Sequence, residues 1–339
     1  VEQLIEALPF LAAPFVACLV IASLHCYMGL HVLKRGVIFV DLALAQAAAL
    51  GAAVALLITP WVCPEPHHHH GDTNAAFVTE AQLAEQLGLE DGEAAASPTS
   101  DNEGVAGGAQ HHATDEHEHT WLTYGMSLLF SLLGAVLLSF GRLRDERIPH
   151  EAVIGIIFVV CAALSVLILS KAPHGHEKME AMLVGSILFV SWRQVLVMLL
   201  LYLVLGIIHF VLRRHFVEIS RGVSVAEKTG KRVRLWDCLF YGTFALMVTQ
   251  SVGMAGVFVV FSYLIIPGAC ASLFAERFGA QLGLAWFVAV VTTVLGLALS
   301  AVGDMPTGSS LVSCFGAVLV LFAFARALLP RGHRGAEDQ

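Results

Sequence analysis

Two histidine-rich stretches, PEPHHHH at 64–70 and HHATDEHEH at 111–119, carry the residue types best suited to chemistry. Imidazole is the commonest side-chain ligand for zinc, nickel and copper, and carboxylates nearby raise the local cation concentration. His67, His68, His69, His70, His111, His112, His117 and His119 are therefore candidates for capturing or buffering a metal ion. The connection around them, 60–120, has no Lys or Arg, twelve Asp or Glu and eight of the sixteen histidines. Its Ala, Gly and Ser content predicts largely disordered flanks around a short helix over 79–93 with Thr79 as its cap. That flexibility fits a loop that gathers cations more than one rigid site. An unselected low-complexity insertion is the plain alternative.

A second set of chemically able groups lies in or beside long apolar runs: His25, Cys26 and His31, then Asp41 and Gln46, then Gln250 and Met254. Ionisable groups in hydrocarbon are costly and commonly face a pathway or a partner. A histidine at a membrane edge is more often an interhelical hydrogen-bonding group than a ligand, and His209 reads as structural. Asp41 stands out, because a carboxylate five residues into an apolar run needs a reason. A third candidate is FVEISRGVSVAEKTGKRVRL at 216–235, where Phe216, Val217 and Ile219 beside charged positions suit a short amphipathic helix that docks on a partner. A basic loop that touches lipid headgroups is its alternative.

These groups are positioned by elements that read as membrane helices. The chain has 339 residues, 57% apolar and 14% charged, against about 25% charged in soluble domains. Mean hydropathy is +0.75. Runs near 20 residues with almost no charge match the length needed to cross about 30 Å of hydrocarbon. Spans are expected at about 9–33, 37–59, 121–140, 150–170, 192–212, 237–251, 254–273, 282–301 and 309–328, with a shorter apolar piece at 182–191 as a half-helix or re-entrant segment. Nine crossings is the expected count. Eight is the alternative, because SVGMAG at 251–256 is a short apolar turn.

Nine crossings with the amino terminus outside put sixteen Lys or Arg on the cytoplasmic side and leave only Lys171, Lys178 and Arg193 opposite. On that reading 1–59 holds the first two helices, 60–120 is extracytoplasmic, 121–328 holds the other helices with a cytoplasmic segment near 213–236, and 329–339 is a cytoplasmic tail. The formal charge of -8 comes mainly from the acidic loop. The acidic start VEQLIEAL, with no cleavage signal behind it, reads as a retained first helix. Seven cysteines, of which only Cys63 falls in a polar connection, form neither a disulfide framework nor a CxxC knuckle. There is no GxxxxGK[ST] phosphate loop, no HExxH and no serine nucleophile elbow, so the chain reads as neither an ATPase nor an enzyme. No tightly bound cofactor and no nucleic-acid partner are expected.

Three stretches resemble the permeases of the zinc, manganese and iron ABC uptake systems: GLHVLKRGVIFVDLALAQAAALGAAVA at 29–55, IPHEAVIGIIFVVCAAL at 148–164 with MLVGSILFVSWRQV at 182–195, and VGMAGVFVVFSYLIIPGACASLFAERF at 252–278 with TGSSLV at 307–312. The resemblance implies an all-α polytopic fold of eight or nine helices, type II-like among ABC importers, in a bacterial inner membrane. It implies a second permease copy, two cytoplasmic ATPases and an extracytoplasmic metal-binding protein. It also places the ATPase-coupling segment at about 216–225, on Phe216, Val217, Glu218, Ile219, Ser220, Arg221, Gly222 and Val223.

One departure stands in FVDLALAQA at 39–47. Without a gap, Asp41 falls on the family's glycine, Leu42 on its aspartate and Gln46 on its histidine; Ser186 likewise replaces an aspartate or asparagine common in relatives. The expected function is ATP-driven import of a divalent transition metal, zinc being favoured by the histidine-rich loop. An ATPase-independent metal transporter or channel, and a metal-responsive membrane sensor, are the alternatives.

Overall fold

Charge, glycine and proline punctuate the apolar runs, and the helices follow that punctuation. The computed structural model describes residues 2–62, 105–140, 149–172, 175–185, 187–213, 215–216 and 233–328. Within them are ten α-helices: α1 (Glu2–Arg35), α2 (Val40–Val62), α3 (Val105–Phe140), α4 (His150–Leu169), α5 (Gly175–Val184), α6 (Trp192–Val211), α7 (Val233–Ala255), α8 (Val257–Phe274), α9 (Phe278–Gly303) and α10 (Thr307–Leu328). All but α5 contain a stretch long and apolar enough to cross a membrane, so the described residues hold nine candidate spans. Two compact units are distinguished, Val1–Leu57 with Thr123–Gln339, and Ile58–Leu122. The second contains the end of α2 and the start of α3.

The expected spans hold, and three details are sharper in the structure. First, the turn that left eight or nine crossings open is a single residue. Gly256 has φ +79°, a left-handed conformation that a side chain disfavours, and it separates α7 from α8 without a loop. Its backbone lies against Gly185, also at positive φ, so closely that a Cβ on either glycine would overlap the other segment's backbone. Second, the apolar piece at 182–191 does not cross. It comprises the end of α5, Gly185 and a 3-10 turn at Ile187–Phe189, after which Ser191 and Gln194 form a capping box that starts α6. Ten residues of helix rise only about 15 Å, half of what a crossing needs. Third, α3 begins at Val105, so the stretch with His111, His112, His117 and His119 is helical, where disordered flanks were expected. The expected helix at 79–93 lies outside the described residues.

Burial sorts the spans. Two thirds of α2 and α7 is buried, against 17% of α4 and 11% of α10, so α2 and α7 are central and α4 and α10 present apolar side chains outward. A soluble protein could not expose Val159, Leu167, Phe210, Leu321 and Phe324 together; lipid accommodates them without cost. Inside, α1 packs on α8 and α9, and α8 on α9 and α10. The α1 and α8 backbones nearly touch at Gly29, where a Cβ would overlap the Leu264 carbonyl. Small residues at such points let membrane helices gain van der Waals contact where no hydrophobic force draws them together.

Candidate functional site

His25 lies in the C-terminal half of α1 and is fully buried. Its Nδ1 is 3.0 Å from the Ile21 carbonyl and its Nε2 is 3.3 Å from Ser251 Oγ on α7. The Ser251 hydroxyl also donates to the Met247 carbonyl at 2.9 Å, so it links His25 to the backbone of α7. The Tyr202 ring on α6 lies 5.9 Å away, and its hydroxyl donates to the Met247 carbonyl at 3.4 Å. His25 thus joins α1, α6 and α7. Its neighbour Cys26 places Sγ 3.9 Å from the Tyr263 carbonyl on α8, and Tyr263 reaches α9 through a 2.5 Å hydrogen bond with Thr293. Gln250 Nε2 donates to Met254 Sδ at 3.7 Å along α7.

Asp41 occupies the first turn of α2 and is 1% exposed, and its Oδ1 has no hydrogen-bond partner among the described residues. Such an oxygen is costly unless protonated or supplied with water or an ion. Gln46 is also buried on α2. Five residues separate the two, which is about 140° around a helix, so they face different neighbours. No group of three His, Cys, Asp or Glu is placed to hold a metal among the described residues.

One end of the bundle holds a denser polar and aromatic cluster. Arg35, ending α1, pairs with Asp237, near the start of α7, at 3.2 Å with both side chains almost wholly buried. The Arg35 guanidinium also lies 3.8 Å from the centre of the Phe240 ring. Thr243 donates to the carbonyls of Leu239 or Phe240 at 2.9 Å, so it accepts from His209 Nε2, also at 2.9 Å. His209 is thereby held in one tautomer and stacks on Phe216 at 4.6 Å. His31 packs at 4.7 Å from Tyr27 and 5.2 Å from Phe278. His150 Nε2, at the start of α4, is 3.3 Å from the Tyr241 hydroxyl.

Phe216, the first residue of the expected coupling segment, is fully buried in this cluster, edge-on to Trp236 and Phe240. Trp236 in turn stacks on His215 at 4.4 Å. Val217, Glu218, Ile219, Ser220, Arg221, Gly222 and Val223 lie outside the described residues, as do His67, His68, His69 and His70. Sequence reasoning missed the Arg35–Asp237 pair. Its signal was a carboxylate beside Trp236 at the mouth of one apolar run and an arginine ending another, 202 positions apart.

Among the described residues, nine apolar helices packed through small residues, with polar side chains joining them inside, define a polytopic helical membrane protein. The model of the ABC 3 transport family matches residues 116–327, well over half of the chain, and the chain belongs to that family. It is similar to the manganese transport system membrane protein MntB of Synechocystis sp., 26% identical over 198 residues, which are 56% of this chain and 64% of that protein. The match therefore spans just under two thirds of that relative's length. It is also similar to the high-affinity zinc uptake system membrane protein ZnuB of Haemophilus influenzae, 24% identical over 55% of this chain and 71% of that protein. The fold is shared with PsaBC from Streptococcus pneumoniae in complex with Fab, at a TM-score of 0.65 and 17% identity over 95% of this chain and 94% of that one.

Proposed function

We propose that this chain is the membrane-spanning subunit of an ATP-driven importer of a divalent transition-metal ion in a bacterial inner membrane. The observation that carries the reading is family membership over nearly all the helices from α3 to α10, with relatives named for manganese and for zinc transport. Because those names span two metals, the likeness does not select one. Zinc is favoured by the eight histidines of the 60–120 connection, since imidazole suits zinc better than it suits manganese.

The physical account assigns the chain a route and a coupling surface, and no bond chemistry. Two copies would enclose the pathway, two cytoplasmic ATPases would drive its alternation, and an extracytoplasmic binding protein would deliver the ion. The basic ends of the helices, with Arg35, Lys34 and Arg213, would face the cytoplasm. Phe216, wedged between His209, Trp236 and Phe240, would anchor the start of the segment that meets the ATPase. Asp41 is the leading pathway residue, because its buried, unpartnered oxygen is the kind of group a passing cation satisfies.

The test is reconstitution of the chain with its ATPase and its loaded binding protein, followed by measurement of ATP-dependent accumulation of zinc, manganese and iron. Accumulation of one metal that needs hydrolysis supports the proposal and names the cargo. Entry without the ATPase would replace it with secondary transport, and no movement of any metal would leave sensing as the better account.

A further inference from the structure

A proline inside a helix removes one backbone donor and presses its ring toward the carbonyl four residues back. In α8 that proline is the buried Pro267, so the carbonyl left without its amide is that of Tyr263. Within a membrane such a carbonyl finds no water and must be met by a neighbouring group. The serines of α8 bond elsewhere, Ser262 to the Phe258 carbonyl and Ser272 to the Gly268 carbonyl, each at 2.8 Å. The donor that reaches the Tyr263 carbonyl comes from α1: it is the buried Cys26 thiol, at 3.9 Å. The thiol stands in for the missing amide, which gives Cys26 a place in the wall of the bundle that needs no passing ion.

Packing around this point divides α8 in two. Before the proline, the Tyr263 hydroxyl is bonded to Thr293 on α9 at 2.5 Å, and its ring meets Phe315 on α10 edge-on at 4.8 Å. After the proline, Gly268 lies against Leu30 and Leu33 of α1, and Phe274 meets Phe322 of α10 at 5.5 Å. On α1, Cys26, Gly29, Leu30 and Leu33 recur at three- and four-residue spacing and so share one face. They meet Tyr263, Leu264 and Gly268 in the same order along both helices. The gap in the hydrogen-bond ladder of α8 therefore sits inside the α1–α8 seam, with Tyr263 held by α9 on one side and by α1 on the other. A thiol is a weak donor, so the bond from Cys26 is the easiest one at this joint to open.

We propose that α8 is a hinged helix, with its joint at Pro267 and the Cys26 thiol as the latch on the Tyr263 carbonyl. The inference rests on the packing of this chain and on no choice of cargo.

Amide hydrogen exchange of the full chain in lipid nanodiscs tests both parts. Loss of the donor leaves a buried carbonyl unmet, so Cys26→Ala is expected to speed exchange over 264–274 about tenfold. Pro267→Ala restores the amide and is expected to slow exchange there. Adding Cys26→Ala to Pro267→Ala should then change little, although it removes the same volume from the seam, and this separates a lost donor from lost packing. Equal acceleration by Cys26→Ala in both backgrounds would overturn the latch. Exchange no faster in the wild type than in Pro267→Ala would overturn the hinge. Infrared spectra add a readout that does not need Cys26→Ala to fold: the S–H band of Cys26, taken as the difference between the wild type and the conservative Cys26→Ser variant, should lie below that of a thiol in hydrocarbon. A band at the free-thiol frequency would overturn the latch.

Discussion

Asp41 and Asp237 are both about 1% exposed, yet their surroundings differ and so do the consequences of removing them. Asp237 has Arg35 at 3.2 Å, and the guanidinium has Phe240 beneath it. Removing one partner of a buried pair strands the other charge, so Asp237→Asn is expected to destabilise the fold by about 3–5 kcal/mol. Replacing both members with leucine recovers most of that. Unfolding of the purified protein in detergent checks this, and a single variant as stable as wild type would show that the pair does not hold α1 to α7. Asp41 is expected to behave the opposite way. Asn at that position removes a buried charge that lacks a hydrogen-bond partner for Oδ1, so stability should hold or rise by about 1–3 kcal/mol while metal uptake drops by an order of magnitude. A variant that transports normally would exclude Asp41 from the route.

At the scale of the helices, close approach decides what is tolerated. Val at Gly29 would drive α1 away from the Leu264 carbonyl, and overpacking of this kind costs about 1–3 kcal/mol. The same change at Gly155, where a side chain meets nothing within 4 Å, should be nearly silent. Parallel melting curves of the two variants separate a packed α1–α8 seam from a loose one. The expected coupling segment also gains a physical reading at this scale. Its first residue is clamped at the junction of α6 and α7 by rings from both helices, so force on the segment would be delivered to the ends of α1, α6 and α7 together.

For the whole molecule, the proposed import cycle makes the 60–120 connection an accessory to the pathway. Deleting 66–118 should leave the maximal uptake rate near that of the full chain and raise the free-metal concentration needed for half of it. Uptake measured against buffered free zinc would show the shift, and a collapse of the maximal rate would place the loop in the route itself.

Apolar run length by itself determined the class of fold and where the apolar helices lie, because about 20 uncharged residues have few alternatives to a membrane helix. It left the turn at 251–256 ambiguous, since the same glycines suit a loop or a break; the backbone contact between Gly256 and Gly185, 71 positions apart in the sequence, is what resolves it. The chemically able residues were visible one at a time, as His25, Asp41 and Phe216 were. Which of them meet was not, because a periodicity reports the face of one helix and says nothing of the neighbour opposite it. Tertiary structure alone brought Ser251 to His25, Asp237 to Arg35 and Phe216 onto His209. Partner choice among nine similar helices rests on small differences in packing and on a few buried polar bonds, and those exist only once the chain has folded.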